Sequence, residues 1–446
     1  MSARAGPNVT PANLRLELVA PLTYVGGGME AHIRRRRAEL GGRTDSREAW
    51  LIAIATLTTT SISFGAPYVV IVALKLIAAD LGGYRSIPAA ATSLAMIGTG
   101  IGGLAMGWLA ERIGVRFTVI GGALMICAGL ALSSGGEAWQ LYVGHGLLIG
   151  FLGNGAINAP LYVYITRWFE RRRGTALALI ASGQYVAGAI WPFLFERAIA
   201  AYGWRQTMMG YGVLVALLIV PIAVLVLKPP PAPPDIRNVS GSAGQPDRVL
   251  DLPPNAAFAL LAVASFLCCV PMAMPAAHLI ALCGDLGMEA RTGALMLSVL
   301  LCCAFISRQF WGWLSDRIGG LMTLLLGSLA QATAIVGFVF TQDEAALFTV
   351  AAAFGLGFSG LIPAYILTAR QLFPAREASW RMPALLLTGM SGMGAGSWLA
   401  GVIYDYSGFY APAFATGFAF NLANLMIVGS LVLLGRRTMA RAASLS

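Results

Sequence analysis

Charged residues are scarce in this chain. Asp, Glu, Lys and Arg make up 11% of its 446 residues, against about 25% in an ordinary soluble domain. Hydrophobic residues make up 57%, and long apolar stretches recur from Trp50 to Leu434. A soluble protein could not bury so many apolar residues, whereas a bilayer can, because each span needs about 20 of them. The composition therefore predicts a polytopic helical membrane protein.

The signatures of enzymes and metal sites are also missing. The sequence contains no HExxH, GxSxG or P-loop motif. Its six cysteines lack CxxC spacing and have no histidine pair nearby, so we interpret them as small apolar residues. We predict no enzymatic activity, no catalytic residue, no metal site and no cofactor.

The apolar stretches divide into twelve predicted helices, arranged as two sets of six around a Pro-rich segment. We expect five parts: a polar N-terminal tail at 1–49, a six-helix bundle at 50–227, a linker at 228–253, a second six-helix bundle at 254–434 and a tail at 435–446. The predicted fold class is therefore all-α, with two six-helix bundles in one membrane protein.

Loop charges predict the orientation. The net charge is +10, and most arginines fall in loops that follow even-numbered helices or near the chain ends. Under the positive-inside rule, both termini then face the cytoplasm, and the basic clusters do not indicate a nucleic-acid partner. The richness in Arg, Ala and Gly suggests a bacterial genome, so we expect a bacterial inner membrane. We also expect a monomer.

An internal repeat relates the two sets of helices. GWLAERIG begins at Gly107 and GWLSDRIG begins at Gly312, an offset of 205. The same offset joins three further pairs: Gly150 and Gly355, Gly155 and Gly360, and Gly203-Trp204 and Gly408-Phe409. Because both halves start on the same membrane side, they are parallel repeats. This arrangement suits alternating access around a site between the halves.

The repeated motif resembles the loop signature of the major facilitator superfamily, which has Asp where the first copy has Glu111. The resemblance covers about residues 50–434 and implies the twelve-helix fold of that superfamily. It also implies a cytoplasmic gate, in which loop charges hold one side shut and separate as the halves rock. The residues that match this gate are Gly107, Glu111, Arg112, Gly114, Arg116, Gly312, Asp316, Arg317 and Gly319. The alternative is that these charges only anchor the loops.

Several stretches narrow the resemblance. SFGAPYVV at 63–70, RWFERRRGTALALIASGQYVAG at 167–188 and ISRQFWGWLSDRIG at 306–319 resemble the monocarboxylate transporter branch, which includes the oxalate/formate antiporter. In that branch an arginine of helix 8 binds the substrate carboxylate, and Arg308 matches this position. A guanidinium can bind a carboxylate through two parallel hydrogen bonds. The alternative is an arginine that snorkels to the interface.

The chain departs from that branch where proton coupling is concerned. Ala304 and Tyr68 stand where mammalian relatives have an aspartate and a lysine. No carboxylate lies in the middle of a predicted span, since Glu196 and Asp405 are near helix ends. His278 could carry a proton or donate to the substrate. It could instead cap the outer mouth or bond a carbonyl freed by neighbouring prolines.

Other polar residues fall inside predicted spans. Asn154, Asn158 and Tyr162 recur every four residues, so they share one face of a helix. We expect this face to line the cavity or a contact between helices. Tyr68, Gln184 and Tyr365 are weaker candidates for substrate contact.

These observations predict a secondary transporter of small, monocarboxylate-like organic anions, driven by protons or by exchange. The expected partners are the anion, the lipid bilayer and protons as coupling ion. Proton-driven efflux of drugs or hydrophobic metabolites is the main alternative, although such pumps usually use a buried acid. A receptor built on a transporter fold is a third hypothesis, but the tails and linker are short for signalling.

Overall fold

Twelve helices that are long and apolar enough to cross a membrane account for most of the described chain. The structure, a computed structural model, describes residues 44–169, 172–228 and 249–445, without the side chains of residues 173, 375, 376, 378, 379 and 438–445. These ranges contain no β-strand. The predicted all-α membrane fold is therefore confirmed. The spans are α1 (Arg47–Val72), α2 (Ser86–Ile113), α3 (Val115–Ser133), α4 (Ala138–Thr166), α5 (Gly174–Tyr202), α6 (Trp204–Leu225), α7 (Pro254–Asp285), α8 (Ala290–Ile318), α9 (Gly320–Phe340), α10 (Glu344–Leu372), α11 (Trp380–Ser407) and α12 (Ala411–Arg437).

The helix ends differ from the predicted bounds where polar residues continue a helix. The first helix begins at Arg47, inside the predicted tail, because the Ser46 hydroxyl accepts a hydrogen bond from the Ala49 amide at 3.2 Å. The last helix continues to Leu445, beyond the predicted end at 434. Arg436 and Arg437 end the apolar stretch, but arginine favours helix and does not end it.

Four spans depart from regular α geometry. A short helix, Leu74–Asp80, extends α1 after an interruption at Ala73. Residues Val143–Asn154 of α4 form a π-helix, and α5 is interrupted at Ser182. The helical residues of α10 are Glu344–Phe358 and Leu361–Leu372, with Ser359 and Gly360 between them. Irregular backbone at this depth is tolerated where it lines a cavity or is buried in protein.

The 205-residue repeat is visible in the backbone. Gly114 and Gly319, which directly follow α2 and α8, have φ of 90° and 82°. Gly203 and Gly408 have φ of 79° and 78°. Only glycine adopts these φ values without strain, so each of the four glycines marks a sharp reversal of the chain. The first pair also agrees in ψ, at 147° and 162°, whereas Gly203 and Gly408 differ, with ψ of 163° and −1°.

The two halves, α1–α6 and α7–α12, contact each other mainly where α2 packs along α11 and α5 packs along α8. We call the membrane side on which α1 begins and α12 ends the proximal side, and the opposite one the distal side. Most of the predicted linker at 228–253 and the RRRR run at 34–37 lie outside the described residues.

Candidate functional site

A cavity of about 50 Å³ lies between the two halves. The N-terminal half contributes α1, α2 and α5 to its wall, and the C-terminal half contributes α7, α8, α10 and α11. Most of the wall is apolar and aromatic or sulfur-containing. These apolar residues include Phe64, Met96, Met272, Leu301, Phe358 and Met393. A ligand in this cavity would therefore contact both halves at once and would meet mainly apolar surface.

A few polar side chains interrupt the apolar wall. Tyr68 on α1 and Gln184 on α5 line the cavity and form no hydrogen bond with another described residue. Thr92 and Ser397 share a hydrogen bond of 2.9 Å between their hydroxyls, which joins α2 to α11. The free hydroxyl and amide are groups that could bind a polar ligand.

Arg308 lies on the proximal side of this cavity. It is buried, with 8% of its surface exposed. Its Nη2 donates to the Tyr185 hydroxyl at 3.2 Å, and its guanidinium carbon lies 4.4 Å from the centre of the Tyr185 ring. Tyr185 itself lines the cavity. One aromatic side chain therefore separates the buried charge from the space between the halves.

Two carbonyl oxygens complete the surroundings of Arg308. Nη1 donates to the Ala181 carbonyl at 2.7 Å, and Nε donates to the Ser359 carbonyl at 3.4 Å. Ala181 belongs to α5 and Ser359 to α10, so this arginine of α8 bonds both halves. We call Arg308, Ala181, Tyr185 and Ser359 the proximal contact.

Both carbonyls are free because their helices are interrupted. In a regular α-helix the Tyr185 amide would donate to Ala181, but it donates to Ser182 at 2.9 Å. The donor to Ser359 would be residue 363, which is a proline and has no N–H. The interruptions of α5 and α10 thus leave one acceptor each for the same guanidinium.

No carboxylate in the described part of the chain neutralises Arg308. Among the described residues, every ion pair involves other cations, and the contacts of Arg308 are those given above. A charge well inside a span costs roughly 2.5–3.5 kcal/mol on insertion scales. Neutral carbonyls and a phenol offset part of this cost without cancelling the charge. The site therefore holds an unneutralised buried cation next to a cavity.

The polar face of α4 extends along the same region. Asn154 is fully buried, and both atoms of its amide lack a hydrogen-bond partner in the described chain. The Asn158 amide donates to the Asn154 carbonyl at 3.0 Å. Tyr162 lies within electrostatic range of the Arg308 guanidinium. Asn154 also lines a smaller cavity, of about 10 Å³, beside the main one.

Tyr365 lies elsewhere. Its hydroxyl donates to the Asn424 side chain at 2.8 Å, within a buried polar network of the C-terminal half. It is not among the residues that line either cavity. We therefore leave it out of the site proposed below.

On the distal side, a cluster of charged residues ties the halves together. Arg85, just before α2, donates through Nη1 and Nη2 to both carboxylate oxygens of Asp285, each at 2.6 Å. Lys75 contacts the same carboxylate at 3.0 Å. Asp405 of α11 accepts hydrogen bonds from the backbone amides of Arg85 and Ser86, at 2.7 and 2.9 Å, and so caps α2. We call Arg85, Asp285, Asp405, Tyr410 and His278 the distal cluster.

The charge of Arg85 is secured by its partners. Burial by itself lowers the pKa of Arg85, but the hydrogen bonds and charge of Asp285, with those of Tyr410, hold that pKa above its usual value. Burial raises the pKa of the Tyr410 hydroxyl, so the hydroxyl keeps its proton. The cluster is therefore an ion pair between the halves at any ordinary pH.

His278 belongs to the distal cluster and not to the cavity wall. Its Nε2 lies 2.8 Å from the Ser397 carbonyl, which can only accept, so Nε2 carries a proton. Its Nδ1 lies 3.0 Å from the Tyr410 hydroxyl, and that hydroxyl accepts from Arg85 at 2.8 Å. The proton of Tyr410 is then free to point at Nδ1. This chain of donors fits a neutral imidazole that joins α7 to α11.

The signature residues lie at the proximal ends of α2, α3 and α8. Arg112 stacks over Trp108 at 3.9 Å, and Arg317 stacks over Trp313 at 4.1 Å, measured to the ring centres. Arg116 donates to the Leu227 carbonyl at 3.2 Å. Glu111 and Asp316 are exposed, and no described residue of the opposite half forms an ion pair with them. In this conformation the signature charges do not hold the halves together.

The glycines of the signature have two different environments. Gly114 and Gly319 require positive φ, as described above. A side chain at Gly107 or Gly312 would meet no atom within 4 Å, so packing in this conformation does not require glycine there.

Sequence reasoning did not select Tyr185, Arg85 or Asp285. Tyr185 is adjacent to the predicted Gln184, and it lies just after the interruption at Ser182, which the sequence did not predict. Arg85 looked like an ordinary loop cation, and Asp285 like the end of a helix. Asp285 and Asp405 could have indicated the ion pair, since both carboxylates lie at the ends of apolar spans on the membrane side that has few cations.

The chain matches one family over most of its length. Residues 52–378 match the family described as Major Facilitator Superfamily. The chain is 25% identical over 310 residues to MFS transporter asaE of Aspergillus flavus, covering 68% of this chain and 67% of that protein. It is 26% identical over 401 residues to human Monocarboxylate transporter 11, covering 86% of this chain and 76% of that protein.

Two further similarities are more limited. Agnestins efflux protein AgnL12 of Paecilomyces divaricatus is 24% identical over 225 residues, which is 49% of each chain. Among solved structures, the peptide transporter POT in complex with sulfate superposes with a TM-score of 0.67 at 15% identity, covering 90% of this chain and 99% of that one. At such low identity the structural likeness bears on the fold alone.

Proposed function

Because the chain belongs to the Major Facilitator Superfamily, we propose that it is a secondary active transporter of small organic anions of the monocarboxylate type. Transport proceeds by alternating access, with the anion bound between the two halves. The substrate carboxylate binds Arg308, and Tyr68, Tyr162 and Gln184 offer hydrogen bonds to the bound anion.

One observation carries this proposal: Arg308 is buried beside the cavity and has no carboxylate partner in the described chain. A buried guanidinium that is solvated only by neutral oxygens gains free energy when an anion arrives, because opposite charges attract strongly where little water screens them. A cationic or neutral substrate offers no such gain. The site therefore favours anions.

The proximal contact also suggests how binding is linked to movement. Arg308 of α8, in the C-terminal half, donates hydrogen bonds to Ala181 and Tyr185 of α5, in the N-terminal half. A substrate carboxylate that takes two donors of the guanidinium replaces these bonds. The anion then loosens one link between the halves on the proximal side while it binds residues of both.

The energy source is either a proton gradient or exchange of anions. No carboxylate occupies the middle of a described span, so the usual acidic proton carrier is not at hand. His278 is held by two hydrogen bonds in the distal cluster. We propose that the proton, where one is carried, travels with the substrate as its acid form, and that exchange is the alternative.

The membrane placement follows from the loop charges. We propose that both chain ends face the cytoplasm, which makes the proximal side cytoplasmic and the distal side extracellular. The conformation described here is then closed to the outside by the distal cluster. A bacterial inner membrane and a monomeric state remain predictions; the relatives reported above come from fungi and a mammal.

A second candidate is efflux of hydrophobic metabolites, and the apolar wall of the cavity favours it. Methionine and phenylalanine side chains adapt to varied apolar ligands. The two candidates differ in their dependence on charge. Efflux of neutral compounds should survive the loss of Arg308, whereas transport of anions should not.

Uptake into proteoliposomes tests the proposal. Wild type and Arg308→Gln are assayed with a panel of radiolabelled acids, namely acetate, pyruvate, isovalerate, phenylpropanoate and oxalate, with a neutral amide of each monocarboxylate as control. We expect uptake of at least one acid, no uptake of its amide, and loss of uptake in the variant. Uptake of acids by the variant at the wild-type rate would overturn the proposed site. An imposed pH gradient, compared with preloaded unlabelled acid, separates proton symport from exchange.

A further inference from the structure

The small cavity beside the main one has a polar end of its own. It is lined by Phe64 and Pro67 of α1, Met96 and Thr99 of α2, Asn154 of α4 and Met390 of α11. Asn154 is fully buried, and neither its Oδ1 nor its Nδ2 has a hydrogen-bond partner in the described chain. Buried amides are normally paired, because an unpaired one loses its hydrogen bonds with water. An unpaired amide that lines a cavity points to a ligand group.

The backbone around Asn154 holds this side chain in place. The π-helix Val143–Asn154 ends at this residue, and π-helical segments are rare and concentrate at functional sites. The segment is fixed by very close packing, since a side chain at Gly98 or Gly102 of α2 would collide with the carbonyls of Gly146 and Phe151. The position of Asn154 is thus imposed by its neighbours.

The small cavity continues the main one. Phe64, Pro67 and Met96 line both. The two spaces are therefore neighbours, and the apolar residues that they share lie between two polar regions. One region is Arg308 with Tyr185, and the other is Asn154.

The length of α4 sets the spacing between these regions. Tyr162 lies within electrostatic range of Arg308, and Asn154 precedes Tyr162 by eight residues, which is about 12 Å along a helix axis. The side chains of Arg308 and Asn154 span part of that distance. We infer from this estimate that an acid of two or three carbons is shorter than the spacing, and that an aryl acid matches it more closely.

We propose that Asn154 forms a second subsite that recognises a hydrogen-bonding group at the far end of an amphipathic acid. The ligand class is a carboxylate joined through an apolar, ring-sized body to a hydroxyl, carbonyl or amide. The carboxylate binds Arg308, the apolar body contacts Phe64 and Met96, and the terminal polar group pairs with the Asn154 amide. This inference rests on the proposed function for the carboxylate end.

A matched pair of acids tests the subsite. Uptake of 3-(4-hydroxyphenyl)propanoate and 3-phenylpropanoate is compared in proteoliposomes of wild type, Asn154→Ala and Asn154→Leu. The two acids differ by one hydroxyl. We expect wild type to prefer the hydroxylated acid about 10-fold in kcat/KM, and both variants to lose this preference while keeping uptake of 3-phenylpropanoate within about 3-fold.

A matched control separates this effect from general damage. Asn421 is another buried asparagine, whose amide donates to the Ser328 carbonyl at 3.0 Å in the C-terminal half. Asn421→Ala should lower the melting temperature and leave the preference for the hydroxylated acid unchanged. If the Asn154 variants fail to fold, direct binding of the two acids to detergent-solubilised wild type gives the preference by itself.

The outcomes distinguish the two proposals. Equal uptake of both aryl acids by wild type, abolished by Arg308→Gln, would overturn the subsite and leave the anion site intact. Uptake of acetate or pyruvate but of neither aryl acid would do the same. A preference for the hydroxylated acid that survives in Asn154→Ala also overturns it. Uptake that persists in Arg308→Gln contradicts the proposed function itself.

Discussion

Two buried arginines, Arg308 and Arg85, join the halves of this protein, and they differ in what neutralises them. Arg85 is 7% exposed and Arg308 is 8% exposed, and each lies over a tyrosine ring. Arg85 has a two-pronged ion pair with Asp285, whereas Arg308 bonds two carbonyls and a phenol. Burial alone therefore does not distinguish a structural arginine from a ligand-binding one. The partner does.

The difference has a physical consequence for each side of the membrane. Opening the distal side must separate an ion pair, which is costly unless water or new partners solvate both charges. Opening the proximal contact removes only neutral acceptors, and a carboxylate can replace them with a net gain. The distal cluster thus behaves as a closed lock in this conformation, and the proximal contact as a link that an anion can exchange.

The largest effect is expected at Arg308. Arg308→Gln keeps a donor of similar length but removes the charge, so anion uptake should fall about 100-fold in kcat/KM, as expected for the loss of two charge-assisted hydrogen bonds. Arg308→Lys should retain more activity, since it keeps the charge and loses the fork. Uptake kinetics measure both. A stability in Arg308→Gln at or above that of wild type, by thermal unfolding, would agree with removal of an unneutralised charge.

The next effect concerns the distal cluster, where we expect a loss of stability and little change in substrate binding. Arg85→Gln leaves Asp285 with Lys75 as its remaining cation, so the protein should lose on the order of 2–3 kcal/mol of stability. The KM for the anion should stay within about 3-fold, because neither residue lines the cavity. A thermal-unfolding cycle with Arg85→Gln, Asp285→Asn and the double variant measures the coupling. If Arg85→Gln raised KM as strongly as Arg308→Gln, the distinction between the two arginines would fail.

A smaller effect is expected when only the phenol of the proximal contact is removed. Tyr185→Phe keeps the ring over Arg308 and deletes the hydroxyl that accepts from Nη2 at 3.2 Å. The substrate carboxylate replaces this bond when it binds, so the loss of the hydroxyl leaves the guanidinium freer to bind the anion, and kcat/KM should rise about 5-fold. Tyr211→Phe, another buried hydroxyl that donates to the Ile62 carbonyl at 2.6 Å, provides a matched control without contact to Arg308. A fall in kcat/KM in Tyr185→Phe, or a similar change in both variants, would contradict replacement of this bond by the anion.

The sequence predicted the fold and one of these arginines for identifiable reasons. The twelve helices could be predicted because apolar runs mark the residues that leave water, and the 205-residue offset marks the symmetry of the two halves. Both can be recognised from residue types along the sequence. Arg308 was predicted because it matches the position of the helix 8 arginine in the monocarboxylate transporter branch. Arg85 was not, because a loop cation looks the same in sequence whether it is solvated or ion-paired. The partners of both depend on contacts between distant segments, such as Asp285 with Arg85, and on interruptions of α5 and α10 that single-residue patterns do not reveal.

The smallest effect is expected at His278, and it decides whether the distal cluster takes part in coupling. Glutamine at this position can still donate to the Ser397 carbonyl and accept from Tyr410, so His278→Gln preserves both bonds of a neutral imidazole. If the histidine only joins α7 to α11, uptake should change less than about 3-fold and its dependence on an imposed pH gradient should persist. His278→Leu, which can form neither bond, should lower the melting temperature more than His278→Gln. If His278→Gln still moved anions but an imposed pH gradient no longer drove their accumulation, His278 would be the proton carrier. The distal cluster would then couple protons to transport as well as hold the halves together. It would be a coupling site, and Arg308 would be a binding site.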